Sequence, residues 1–167
     1  MYMRALEGKE KALGADHTLT LSTVNNLGIL YKGQGKLDEA EKMYMRALEG
    51  YEKAIGPENI LTFIPALNTM WGLASLFNCQ DKVKDARTLY LKALSGYQKV
   101  VGDDHPKCQT LRNNLAALGK EGDKISAATK RESVQAHSQP QTIVASSARR
   151  NLPTSKRHKI LKILGLR

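Results

Sequence analysis

The residues of this chain that could carry out chemistry are few. The best candidate is DDHP at 103–106, where two aspartates precede His105 and could orient it as a general base. ADHT at 15–18 and PENI at 57–60 occupy the same slot of the sequence. Acidic residues followed by His or Asn suit the N-terminal cap and dipole of a helix. We therefore interpret all three stretches as helix starts and predict that the protein is not an enzyme.

The remaining reactive side chains have no spacing that is typical of a functional site. Cys79 and Cys108 stand 29 residues apart, the four histidines are scattered, and no glycine-rich phosphate loop or GxSxG motif occurs. We expect no catalytic residue, metal, cofactor or small-molecule substrate. No apolar run is long enough for a bilayer and the first residues lack a secretory signal, so we predict a cytoplasmic protein with reduced thiols.

The clearest pattern in this sequence is an internal repeat. The octapeptide MYMRALEG at residues 1–8 returns unchanged at 43–50. Each larger unit contains an apolar helix, a short polar break, a longer helix and a connector, which predicts stacked helix pairs. Gly14, Gly56 and Gly102 end the longer helices, where a glycine can adopt the left-handed helical conformation.

Hydrophobic spacing supports helices in both halves of the unit. The first helix carries an apolar stripe at i, i+3, i+4 and i+7. Its members are Val24, Leu27, Gly28 and Tyr31. On the second helix one face holds Ala40, Tyr44, Ala47 and Leu48. Small residues at Gly28 and Ala40 would let the two helices pack closely.

The pattern LGxxY followed by AxxxY and A resembles the tetratricopeptide (TPR) repeat. The period here is 42 residues, and the connectors LGADHT, IGPENI and VGDDHP are similar to those of kinesin light chain repeats. The resemblance covers about residues 1–128. It implies an all-α helix-turn-helix solenoid of about three repeats preceded by a half repeat.

Three departures from the repeat carry their own predictions. The middle unit has four extra residues, which predicts one added helical turn with Pro65 in its first turn. In the third unit, KISAATKRES predicts only a weak and short second helix. The leading half repeat leaves Tyr2, Ala5, Leu6 and Leu13 without a partner helix on the N-terminal side. We infer a piece of a longer array, or self-association through this helix.

A concave groove is expected along the first helices of such a solenoid. Positions beside the packing stripe supply the candidate contact residues Asn25, Ile29, Lys32, Asn68, Trp71, Asn78, Asn113 and Lys120. In the resembling families such asparagines hold the backbone of a bound peptide, although here they could also bond between repeats. The tryptophan could serve either the core or the groove. The lysines favour an acidic peptide or protein partner, although a solvated helix face would explain them as well.

The net charge of +10 is concentrated at the C-terminus. We divide the chain into a repeat domain at 1–132 and a basic tail at 133–167, disordered for most of its length. A short amphipathic helix at 156–166 would carry Lys156, Arg157, Lys159 and Lys162. The simplest interpretation is an unstructured, solubilising tail, and weak membrane contact, nuclear import and an acidic partner are the alternative uses. Without an aromatic residue for base stacking, nucleic acid binding is not expected.

These features together predict a protein-protein interaction scaffold that holds a peptide or a partner protein in its groove. The alternative is a C-terminal repeat or capping fragment of a larger multidomain protein, kinesin-light-chain-like or a receptor of the NTPase-TPR type, with no ligand of its own.

Overall fold

The computed structural model describes residues 2–132 together with 162, 164 and 165, and the side chains of α6 only as far as residue 119. Residues 2–132 form six α-helices. They are α1 (Tyr2–Leu13), α2 (Thr18–Gly33), α3 (Leu37–Ile55), α4 (Ile64–Cys79), α5 (Val83–Val101) and α6 (Pro106–Glu132). None of these helices is long and apolar enough to cross a membrane.

The helices pack mainly on their neighbours in the sequence. The most extensive contacts join α2 to α3 and α4 to α5, and each of these pairs is connected by a three-residue turn. Further contacts join each hairpin to the next helix, and α2 also touches α4. This nearest-neighbour stacking is the organisation of a solenoid, so the expected all-α repeat fold is confirmed.

The hydrophobic core follows the stripes that the sequence predicts. Val24, Leu27 and Gly28 on α2 are buried, as are Ala40 and Tyr44 on α3. Because Gly28 has no side chain, the Tyr44 ring can lie directly on it. A Cβ atom added at Gly28 would lie 2.8 Å from Tyr44 Cε1, and one added at Gly72 of α4 would lie equally close. Tyr44 therefore packs against two first helices, α2 and α4.

The glycines after the long helices have positive φ as expected, but two of them lack the predicted left-handed helical conformation. Gly56 has φ 84° and ψ 152°, and Gly102 has φ 90° and ψ 164°. This combination of positive φ with extended ψ is accessible almost only to glycine. The chain therefore leaves each helix in an extended direction, which leads it into the next connector.

The prediction of an added helical turn in the middle repeat is wrong. α4 has 16 residues, the same length as α2, and the extra residues form turns before Phe63. Side-chain packing favours this arrangement: Ile60 is buried, and the Phe63 ring meets the Tyr51 ring edge-on at 5.3 Å. Pro65 does stand in the first turn of α4, as predicted.

The third repeat differs from the other two because α6 continues for 27 residues without a turn. The predicted separate second helix is therefore absent from the described residues. One face of α6 gives a physical reason: Gln109 and Arg112 stand where α4 has Leu67 and Met70. Gln109 and the neighbouring Ala116 are exposed. A returning helix would have little apolar surface to cover on this face.

The first helix, α1, buries part of the apolar face that the sequence left without a partner helix. Leu6 is buried in the core, whereas Tyr2, Ala5 and Leu13 are exposed. α1 therefore uses one apolar residue to pack against the array and leaves the others at the surface.

Most predictions about the tail lie outside the described residues. This holds for the disordered stretch, for most of the amphipathic helix at 156–166, and for Lys156, Arg157 and Lys159. Lys162 is exposed, and Leu164 is buried. The domain boundary at residue 132 stays a prediction.

Candidate functional site: the α2–α4 groove

A groove of about 580 Å³ lies between α2 and α4. The two helices supply almost the whole surface because they run along the same side of the array, and α3 contributes only Tyr44. The lining residues are Asn25, Asn26, Ile29, Lys32, Gly33, Tyr44, Asn68, Trp71, Gly72 and Ser75.

Five of the eight candidates from the sequence come together in this groove: Asn25, Ile29, Lys32, Asn68 and Trp71. The other three do not line it. Asn78 is half-buried further along α4, and Asn113 is exposed on α6. The Lys120 side chain lies outside the described residues.

Sequence reasoning missed Tyr44 and Gly72 as members of the groove, whereas Ser75 lies at a position that the helical spacing assigns to it. Sequence reasoning assigned Tyr44 to the packing between paired helices, and only the stacking of two repeats brings the ring to the groove floor. The signal that could have found it is Gly72, which stands beside Trp71 and leaves space for the Tyr44 ring. Burial raises the pKa of the Tyr44 hydroxyl to about 12.

Trp71 belongs to both of the environments that the sequence left open. It is half-buried and packs against the hydrophobic core, while it also lines the groove. An indole that is held on one side by the core presents a rigid apolar surface to anything bound beside it.

Polar groups cross the groove at one end. Lys32 Nζ of α2 donates a hydrogen bond to Ser75 Oγ of α4, which joins the two repeats. Of the described residues that line the groove, Lys32 alone is charged. The described lining of the groove therefore carries one positive charge, at the end where Lys32 bonds to Ser75.

Asn25 has an incomplete set of hydrogen bonds. Its Nδ2 donates to Asn26 Oδ1 at 3.4 Å, whereas its Oδ1 is buried and has no partner among the described residues. Buried polar atoms are nearly always paired in native proteins. Asn25 therefore brings to the groove lining an acceptor that lacks a donor in the described part of the chain.

Asn68, by contrast, is bonded within the array. Tyr97 Oη donates to Asn68 Oδ1, and Lys107 Nζ lies 3.2 Å from the same oxygen. Lys107 Nζ also lies 3.3 Å from Tyr97 Oη and 5.0 Å from the centre of its ring. This cluster joins α4, α5 and α6. It gives Asn68 a structural role and brings a second cation beside a residue that lines the groove.

The DDHP stretch has the structural role that we expected. His105 Nδ1 accepts a hydrogen bond from the backbone N–H of Lys107 at 3.2 Å, and His17 Nδ1 accepts one from Leu19 at the same distance. Asp103 is exposed and bonds to Gln98 and Arg112, which lower the pKa of its carboxyl group. Asn59 is an exception, because it bonds back to the carbonyl of Ile55 and does not cap α4.

Stacked helix hairpins with a groove along their first helices define the class of helical-repeat solenoids. Two models of the family described as "Tetratricopeptide repeat" match residues 1–53 and 67–107, together more than half of the chain. The chain belongs to this family. Such repeats indicate a helical scaffold for protein interactions, and their families are typically non-catalytic.

Among solved structures, the crystal structure of BtubC (BKLC) from P. vanneervenii is similar to this chain, with a TM-score of 0.63 and 20% sequence identity. The match covers 90% of this chain and 62% of that one, so this chain spans less than two thirds of the BtubC chain. The likeness establishes the fold, and it agrees with the resemblance to kinesin light chain repeats. No curated protein is significantly similar in sequence.

Proposed function

We propose that the protein is a scaffold that holds an extended segment of a partner protein in the α2–α4 groove. The observation that carries this proposal is Asn25, a residue of the groove lining whose buried Oδ1 has no donor among the described residues. If the Asn25 amide rotates so that its oxygen faces the groove, a backbone N–H of a bound peptide would supply that donor. Bringing the two together would also remove the cost of an unpaired buried acceptor.

The other lining residues suit the rest of such a segment. Trp71 and Ile29 offer apolar surface, and Ile29 is 55% exposed. Lys32 can pair with a carboxylate, and among the described residues no acidic side chain lines the groove to oppose one. We therefore propose an acidic segment with at least one large apolar residue. Both cysteines are free thiols, in keeping with a reducing compartment, and we propose the cytoplasm.

The test begins with random peptides displayed on phage and selected on the immobilised chain. Binding of the selected peptides is then followed by the fluorescence of Trp71, the single tryptophan of the sequence. We expect bound peptides to change this emission, because the indole lines the groove. Asn25→Ala should weaken binding by roughly tenfold, the equivalent of about 1.4 kcal/mol for one lost hydrogen bond.

Asn113→Ala is the matched control, because Asn113 is an exposed asparagine that does not line the groove. It should leave the affinity unchanged. If Asn25→Ala and Asn113→Ala bind the selected peptides as tightly as the wild type, the groove is not the binding site.

The exposed apolar face of α1 supports a second candidate, an array segment with no ligand of its own that associates through this helix. Tyr2 is 45% exposed, Met3 52% and Leu13 43%. Sedimentation at increasing concentration separates the two candidates. Self-association that Leu13→Lys abolishes, together with failure to select any peptide, would favour the second. A monomer that binds peptides would favour the first.

A further inference from the structure

Leu164 is almost at the C-terminal end of the sequence, yet its side chain is 1% exposed and belongs to the hydrophobic core cluster. The backbone turns at this point: Gly165 N–H donates to the Lys162 carbonyl at 3.0 Å, and Gly165 has φ +66°. Lys162 itself is exposed. The turn therefore inserts Leu164 into the core and leaves the Lys162 side chain in solvent.

One contact of this turn with the array is with Lys92 of α5. A Cβ atom added at Gly165 would lie 3.6 Å from Lys92 Nζ and 3.9 Å from Lys92 Cε. Burial lowers the pKa of the Lys92 ammonium group. Lys92 is thus covered over part of its length, whereas Lys99, two helical turns further along the same face, is exposed.

This contact is separate from the proposed peptide site, because α5 contributes no residue to the groove lining. Lys92 stands in the repeat position of Arg46, which pairs with Glu10 of α1 and so joins two successive second helices. The turn therefore lies along the row of second helices, whereas the groove lies along the first helices.

We propose that the C-terminal turn is an intramolecular ligand of α5, with Leu164 as its anchor and Lys92 as the residue that it covers. The 29 residues between Glu132 and Lys162 provide ample length for the chain to return, since the entropic cost of closing a loop grows only slowly with its length. Because the Leu164 side chain is almost completely buried, removal of its apolar surface from water contributes to the contact. A partner protein that uses this surface of α5 must first displace the turn.

The experiment uses Gly165→Asp in the full chain, which places a carboxylate beside Lys92. A water-soluble carbodiimide converts this carboxylate to an O-acylisourea, and the amine of Lys92 then attacks the acyl carbon to form an amide bond with release of the urea. Mass spectrometry of the digested monomer locates the cross-link. We expect coupling of residue 165 to Lys92 at a yield that does not depend on protein concentration, with little coupling to Lys99.

Leu164→Asp, added to the same variant, removes the anchor and should abolish the cross-link to Lys92. Lys162→Ala is the matched control and should preserve it, because its side chain is exposed. Circular dichroism checks that the helices of each variant are intact. Equal coupling to Lys92 and Lys99, coupling only between two chains, or an unchanged yield after Leu164→Asp would each overturn the proposal.

Discussion

Leu21 of α2 lies directly on Gly50 of α3, and its two terminal methyl groups occupy the space that a Cβ atom at residue 50 would need. Gly50 is the last residue of the second copy of the octapeptide. Gly8 is the last residue of the first copy, and nothing lies within 4 Å of the position its Cβ would take. The two copies of the octapeptide are identical in sequence, yet the final glycine is enclosed in the second copy and open in the first.

Substitution of these two glycines should change stability in opposite directions. Gly50→Ala forces the packed Leu21 to move, and overpacking of this kind costs about 1–3 kcal/mol. Gly8→Ala should stabilise the protein by about 0.5–1 kcal/mol, because alanine is the better helix former and meets no obstacle. Urea unfolding of the two variants measures both effects. If the two shifts have the same sign, the close contact between α2 and α3 is not as described.

Stability should fall at alkaline pH because burial raises the pKa of Tyr44 from 10.0 to about 12. The folded state then disfavours the phenolate, which the unfolded chain forms freely above pH 10. This contribution is complete below pH 10 and is lost progressively as the pH rises towards 12. Between pH 8 and pH 11 the free energy of unfolding therefore falls by about 1.4 kcal/mol from this group.

Tyr44→Phe removes this titration, so its free energy of unfolding should fall less over the same pH interval, by about 1.4 kcal/mol. Tyr31→Phe is the control, because the Tyr31 side chain is only half-buried. Urea unfolding at pH 8 and pH 11 gives the comparison. Equal losses for Tyr44→Phe and the wild type would contradict the prediction.

The histidine at the start of α2 should contribute to stability as a cap. His17 Nδ1 accepts the N–H of Leu19, and His17→Ala leaves that donor without a side-chain partner. We expect a loss of about 1 kcal/mol, which His17→Asn should largely restore because asparagine is a preferred N-cap residue. Thermal unfolding measures both variants. If alanine and asparagine are equally stable here, the histidine has no capping function.

Reversal of the charge in the groove should weaken the binding of acidic peptides. Lys32→Glu replaces the ammonium group that reaches Ser75 with a carboxylate that repels an acidic ligand. Lys99→Glu makes the same change in net charge on α5, away from the groove, and serves as the control. We expect a loss of at least tenfold in affinity for Lys32→Glu only, and a weaker dependence of its binding on salt. A similar loss in both variants would indicate a general effect of net charge.

Much of the groove was predictable from sequence because an α-helix has a fixed period. The angular positions of Asn25, Lys32 and Trp71 follow from 100° per residue, so their common location needed only the correct assignment of the helices. The bonds of these residues were not predictable. Asn25 and Asn68 are both candidate contact residues on first helices, yet Asn68 is bonded to Tyr97 and Lys107 whereas Asn25 Oδ1 has no partner in the described part of the chain.

Element boundaries were harder to predict where two solutions have similar local energies. The four extra residues before α4 could extend the helix or enlarge the connector. The burial of Ile60 and the contact of Phe63 with Tyr51 favour the connector, and both depend on residues from another helix. The third repeat posed the same problem: local propensity allows a turn after residue 119, but α6 continues because its outer face gives a returning helix little to cover.

The sequence by itself determined the repeat, the helical fold and the faces that pack together, because these depend on periodicity within a single helix. The tertiary structure decided which copy of the octapeptide is enclosed, which asparagine keeps a free acceptor, and that Leu164 is buried in the core. These properties depend on atoms that are distant in the chain and meet only when the helices stack. Local sequence, identical at Gly8 and Gly50, cannot distinguish them.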